Sequence, residues 1–309
     1  MIPDDRQQLL AERASLDRLL SEIPEENVID RMSLESRRQE IDEMLAEAKA
    51  PRREPVRARL TFGGKPIVGS HGILAEFGAS AVKAFADAVA AIGAGQTTAL
   101  GSRGAIPNRE HYDLLITGTA VGSFGFELEQ AHTSELPFSD TPSPIETAIE
   151  QTKAILRATT GTDDELGDAI SGADPRALEA LRGFLKVLSD QEAVCAIAFR
   201  DDFFRFHDAK EVQRSENRLR QDNIHEDTMD IVGRFQGVLP VRRTFEFLDE
   251  HTGETITGKV GPAIENAAEI NRLLDVRVTM RVHKTQVGKG NPRYELLSYE
   301  QARNSHEGG

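Results

Sequence analysis

The sequence of 309 residues predicts an α+β protein in three parts. These are an N-terminal helical hairpin (1–52), a central α+β domain (53–222) and a small C-terminal β-barrel (223–299), with 300–309 as a flexible tail. Three observations carry this. Leu9, Leu16 and Ile23 recur every seven residues in an otherwise charged run. Apolar residues then alternate with period two over 56–62, between segments with helical spacing. The last third orders itself as strand, strand, strand, helix, strand, strand. The length itself suits two domains or three small ones.

Composition narrows the class. With 39% apolar and 28% charged residues, the chain is not a mostly disordered one. No stretch approaches 18 consecutive apolar residues. Met1-Ile2-Pro3-Asp4-Asp5 lacks the basic region and apolar core of a secretory signal. One cysteine builds no disulfide framework, so the expected compartment is the cytoplasm. The net charge of −14 divides as −5 over 1–54, −1 over 55–135, −6 over 136–222 and −2 over 223–309. A protein coating duplex DNA with its whole surface would be basic, so the composition argues against that function; a local basic face stays compatible with it.

The hairpin's second helix carries Val28, Met32, Leu34, Ile41 and Leu45 after the break at Pro24-Glu25-Glu26-Asn27. Its narrow apolar stripe suits coiled-coil packing on the body, on a second copy or on a partner. Pro51-Arg52-Arg53-Glu54-Pro55 is a stiff linker. Val56–Phe62 is a half-buried strand, followed by the turn Gly63-Gly64-Lys65-Pro66. Ile73, Ala75 and Phe77 alternate as a further strand, and Val82, Phe85, Val89 and Ile92 mark one helix face. Gly93–Asn108, rich in Gly, Thr and Ser, reads as a long loop, functional or mobile. Leu114–Ala120 and Ser123–Glu129 form a hairpin around Val121-Gly122.

Ser143-Pro144-Ile145-Glu146 has the form of a capping box with proline in the first turn, and Asp174-Pro175 opens a helix with Leu178, Leu181, Leu185 and Leu188 on its face. Asp163-Asp164-Glu165 is a first-turn acidic cluster. Val194–Phe199 and Phe203–Phe206 are strands joined by Arg200-Asp201-Asp202, and a charged helix covers about 208–220.

In the last third, strands are expected over about 229–238, 241–248, 255–260, 276–284 and 292–299, with a helix over 262–274 opened by Gly261-Pro262. Gly233 and Gly237 lie in the long first strand, where a barrel must bend. This element order resembles the OB fold over about 70 residues. The final hairpin is basic: Arg277, Arg281, Lys284, Lys289 and Arg293, with His283 among them. In OB folds this hairpin's loop is one of two that close over oligonucleotides. The resemblance therefore implies single-stranded DNA or RNA as a partner, with those five residues as the contact surface. Stacking platforms would come from Phe235, Phe245, Phe247, Tyr294 and Tyr299, although Phe245 and Phe247 share parity with Val241 and fit a core better.

The rival expectation keeps this architecture and makes the barrel a protein-docking module in a larger complex, with the hairpin holding a protein partner or a second copy. A third is an enzyme on a phosphorylated ligand. Its anion pocket would use Arg57, Arg59, His71, Arg103, Arg109 and His111 beside the Gly-rich loop. That loop has neither Walker spacing nor a dinucleotide fingerprint. His207-Asp208 and His225-Glu226-Asp227 do not make a three-ligand metal site, and Cys195 lies in an apolar run. No cofactor and no catalytic residue is expected.

Overall fold

The computed structural model describes residues 3–24, 27–49, 55–101, 103–120, 124–131 and 142–301. It is a mixed α+β protein that divides into two compact units, residues 1–55 with 133–142, and 56–132 with 143–309. The linker at 51–54, the turn Val121-Gly122 and the tail beyond 301 lie outside the described residues.

In the first unit, α1 (Pro3–Glu22) and α2 (Val28–Lys49) pack along Leu16, Ile41 and Leu45, with Leu9 and Leu34 at the margin. The cross-contacts run in antiparallel order. Arg37 meets Glu12 at 3.0 Å, Arg38 meets Asp17 at 3.4 Å, and Arg31 donates to the carbonyls of Leu20 and Ile23. Leu9 and Leu16 belong to the expected stripe, but Leu10, Leu19, Met32 and Met44 stay exposed. The pair therefore buries only a narrow seam.

The second unit begins with β1 (Arg57–Gly64) and the short pair β2 (Ile67–Val68) and β3 (Gly72–Ile73). After α3 (Ala75–Gly95) come β4 (Leu114–Ala120), β5 (Gly125–Gln130), α4 (Pro144–Thr160), α5 (Asp163–Ile170), α6 (Pro175–Asp190), β6 (Ala193–Phe199), β7 (Asp202–Arg205) and α7 (Ala209–Arg218). The strands form an antiparallel sheet in the order β4-β5-β1-β6-β7. Alternation works as expected in β1: Ala58, Leu60 and Phe62 are buried, while Arg57 and Arg59 are exposed. The buried side meets α3 through Phe62 on Phe77, and α3 meets α6 through the edge-to-face pair Phe85–Phe184.

Two expectations fail here. Ala75 and Phe77 belong to α3, since Phe77, Ala81, Phe85, Ala88 and Ile92 give one continuous buried face. Three alternating residues are too short a run to separate the two periods. The long loop also starts later, because α3 continues through Gly93, Ala94 and Gly95. Glycine is needed at 93: a Cβ there would overlap the Tyr112 ring and lie 2.9 Å from the Ala148 Cβ. With its alanines and glycines, α3 is long and apolar enough to cross a membrane, which the count of consecutive apolar residues did not reveal. Eleven of its residues are buried in the core of this unit.

The caps follow the sequence closely. Ser143 and Glu146 form a reciprocal capping box, with the Ser143 N–H donating to Glu146 at 2.6 Å. Thr162 and Glu165 repeat it at α5. Asp174 accepts from the N–H groups of Arg176 and Leu100, which caps α6 and ties it to the loop after α3. Buried Lys153 lies 2.8 Å from Asp202, which also holds Arg157.

The last third comprises β8 (Ile224–Leu239), β9 (Thr244–Asp249), β10 (Thr255–Val260), a 3-10 helix (Ala267–Leu273), β11 (Arg277–Val287) and β12 (Arg293–Gln301). The five strands close into a ring, β10-β12-β11-β8-β9. All pairings are antiparallel except β10 with β12, which is parallel. Phe235, Phe245, Phe247, Val278, Met280 and Leu296 fill it. Gly233 is where β8 and β9 approach, since a Cβ would lie 2.6 Å from the Phe247 ring; Gly237 follows a bulge. The expected helix over 262–274 is instead the shorter 3-10 helix. The Arg243 guanidinium takes the carbonyls of Gly261 and Ile264 at 2.7 Å each, and the Gly261 N–H bonds to Leu296. Those groups are tied to the strands and do not open an α-helix.

Overpacking the α3 contact should cost about 1–3 kcal/mol. Gly93→Val is therefore expected to lower the urea midpoint without changing far-UV circular dichroism.

Candidate binding site on the final hairpin

The five basic residues of the final hairpin fall into two places. Arg277, Arg281 and Lys284 lie on β11; Lys289 and Arg293 lie at the turn into β12. Strand parity puts Arg277 and Arg281 on the outer face and Lys284 on the side of Val278, Met280 and Val282, where it is half-buried beside a cavity of about 700 Å³.

Acids stand against most of them. Arg277 meets Glu250 at 2.7 Å. Arg281 faces Asp230 of β8 in the ladder, and Lys284 faces Asp227. His283 lies 3.8 Å from Glu226, and the pull of that carboxylate, with Glu295 and Asp227 nearby, raises its pKa above the ordinary histidine value despite partial burial. Opposite charges across a ladder stabilise the pairing and cancel the field beyond it. The outer face of β11 is therefore mixed in charge.

The turn is engaged more closely still. The N–H of Lys289 donates to Asp163 at 3.3 Å, and that of Asn291 to Asp164 at 2.8 Å. Arg293 reaches Asp168 at 2.5 and 3.1 Å and Asp164 at 3.4 Å. Arg218 of α7 holds Asp163 from the other side at 2.8 Å. The Arg293 hydrogen bond keeps the Asp168 carboxyl below its ordinary range against a partial desolvation. The acidic first turn of α5 is thus the partner of the basic turn.

Beside this contact lies a cleft of about 620 Å³. Its walls include Leu239, Glu246, Thr257, Lys259 and Arg293, with Asp168 at the α5 side. The β8–β9 connection next to it exposes Leu239 at 56% and Val241 at 98%. Two aromatic residues, Phe245 and Tyr294, are among those lining the cleft. Phe235, Phe245 and Phe247 are buried, and half-buried Tyr294 and Tyr299 pack on the same core.

The second cluster is dispersed. Arg57 pairs with Glu129 at 3.0 Å and Arg59 with Glu127 at 3.2 Å across β1 and β5. Arg109 pairs with Asp87 and Asp113 beside α3. His71 lies in the β2–β3 turn, exposed Arg103 in the loop after α3, and His111 in a 3-10 helix. Arg176 holds that loop through the carbonyls of Gly101 and Gly104. Asp208 caps α7, and the N–H of His207 donates to Glu211. Burial pushes the Cys195 thiol upward, away from nucleophilic use. Among the described residues, no three His, Cys, Asp or Glu side chains cluster to hold a metal.

Sequence reasoning missed the contact between α5 and the turn, and the exposure of Leu239 and Val241. The signal for the first was present as complementary charge: Asp163, Asp164 and Asp168 against Lys289 and Arg293. No local periodicity joins segments 125 residues apart. No family model, curated protein or solved structure matches the chain.

Because the Asp168 pKa is lowered in the fold, its contribution to stability is present above the unfolded carboxylate pKa and is lost as pH falls through the folded one. Urea denaturation should therefore find wild type more stable than Asp168→Asn at neutral pH. The gap should close below about pH 4; a gap independent of pH would contradict the pairing.

Proposed function

We propose that this is a binding and assembly protein whose C-terminal ring is an OB-like barrel that docks a protein partner. The ring supports the OB reading through its connectivity. Strands one to three are consecutive neighbours, the third meets the fifth in parallel, and a helical segment links the third to the fourth. In OB folds, the ligand surface lies on strands two and three, between the loops joining strands one to two and four to five. Here those elements are β9, β10, residues 240–243 and residues 288–292, and the 620 Å³ cleft borders them.

The observation that carries the choice of partner is the character of that surface. It presents exposed Leu239 and Val241, its lining aromatics Phe245 and Tyr294 are buried and half-buried against the ring core, and the basic hairpin is largely matched by carboxylates. Single-strand binding relies on a positive groove and stacking platforms. An apolar tip beside a cleft with a polar rim favours a protein segment. The exposed apolar residues of α1 and α2 support an assembly role for those helices, and one buried cysteine suits a cytoplasmic setting.

Fluorescence anisotropy with labelled single-stranded DNA, single-stranded RNA and duplex, at low and physiological salt, provides one half of the test. Only weak binding is expected. The other half is crosslinking in native extract, with wild type set against Leu239→Asp/Val241→Asp. The partner retained by wild type should be lost from the double variant while circular dichroism stays unchanged. Tight, salt-sensitive single-strand binding that Arg281→Glu/Lys289→Glu abolishes would overturn the reading in favour of nucleic acid.

A further inference from the structure

We infer that the turn Gly288–Arg293 is a carboxylate-binding nest, occupied in cis by the first turn of α5, and that an acidic segment of the protein partner takes that place in trans. This rests on the protein-docking reading and specifies its ligand class and its regulation.

The contact is built from backbone. The N–H groups of Lys289 and Asn291 point at the carboxylates of the consecutive residues Asp163 and Asp164. Backbone N–H groups of a turn around a left-handed residue make a concave anion site of the nest kind; here Lys289 and Asn291 supply the free N–H groups, while that of Gly290 bonds to the Val287 carbonyl within the turn. Gly288 supplies the left-handed conformation, with φ +49°. It also supplies clearance: a Cβ at Gly288 would lie 2.6 Å from the Asp163 Oδ2, and one at Gly290 would lie 3.0 Å from the Asp163 Cβ. Arg293 adds a bidentate grip on Asp168, the arrangement that suits a carboxylate best.

Two features distinguish this from a permanent joint. First, the carboxylates are accessible. The Asp163, Asp164 and Asp168 side chains are 39%, 45% and 67% exposed. Ion pairs in that setting contribute little each, so exchanging one carboxylate for another is nearly neutral. Second, the nest opens beside the docking surface. Arg293, Pro292 and Asp168 all line the 620 Å³ cleft that reaches Leu239. Exposed Lys289 has no acidic side-chain partner among the described residues and stands at the turn as a spare cation. A partner with apolar residues for the tip and paired Asp or Glu for the nest fits both. While α5 holds the nest, it competes with such a segment.

The probe is a labelled synthetic peptide of residues 159–172, the α5 segment itself, added to the full chain. A length-matched labelled oligothymidylate is the comparison. The peptide should bind Asp163→Asn/Asp164→Asn/Asp168→Asn at least about tenfold more tightly than wild type, because the cis competitor is weakened. Adding Lys289→Glu/Arg293→Glu should remove the gain. If the folded triple variant shows no gain for either probe, the nest is only a joint; the inference fails, and docking at Leu239 and Val241 stands. If oligothymidylate gains and the peptide does not, the inference and the protein-docking reading both fail. Should the triple variant not fold, Asp164→Asn alone provides the same comparison with a gain of about threefold, and no gain there overturns the inference.

Discussion

Three carboxylates on one short helix meet the turn between the last two strands. Much of the second unit is arranged around that contact. Arg218 fixes Asp163 and also takes the carbonyls of Thr159 and Gly161, so α4, α5 and α7 meet at the same point. Asn223 extends the connection, bonding to the Arg218 carbonyl and accepting from the Gly288 N–H. The turn is held here by charge and by backbone hydrogen bonds. Such a contact weakens as salt rises, unlike the apolar cores on either side of it.

Charge matching also explains why a basic hairpin does not make a basic surface. Net charge describes a chain, and a ligand meets a local field. The acidity of residues 136–222 includes the acids that face the turn, and β8 places Glu226, Asp227 and Asp230 across from β11. What remains exposed beside the cleft is apolar at the tip and mixed at the walls.

Much of the architecture was legible because local chemistry and global packing agree. Ser143-Pro144-Ile145-Glu146 and Asp174-Pro175 cap where they should, and the four leucines of α6 are buried together. Val278, Met280 and Val282 alternate inward along β11, whereas Val276, of the same parity, is exposed just before it. Errors arose where the pattern was short or where a distant group intervened. Ile73, Ala75 and Phe77 fit a strand only until the helical face after them is counted. The segment after Gly261 is diverted by Arg243, seventeen or more residues earlier in the chain. The candidate site was the least legible part. Arg277 and Arg293 were visible as cations, but Glu250 and Asp168 as their partners were not. Exposure of Val241 depends on where the ring leaves its connection, which no periodicity encodes.

The central claim is that electrostatics holds the final turn against α5 while apolar packing holds the ring. Hydrogen exchange of the full chain at low and high salt separates the two most directly. The amides of Lys289 and Asn291 should lose protection as salt rises, while those of Val278 and Val282 keep theirs. Salt-independent protection at 289 and 291, or loss of protection throughout the ring at the same salt, would contradict the account.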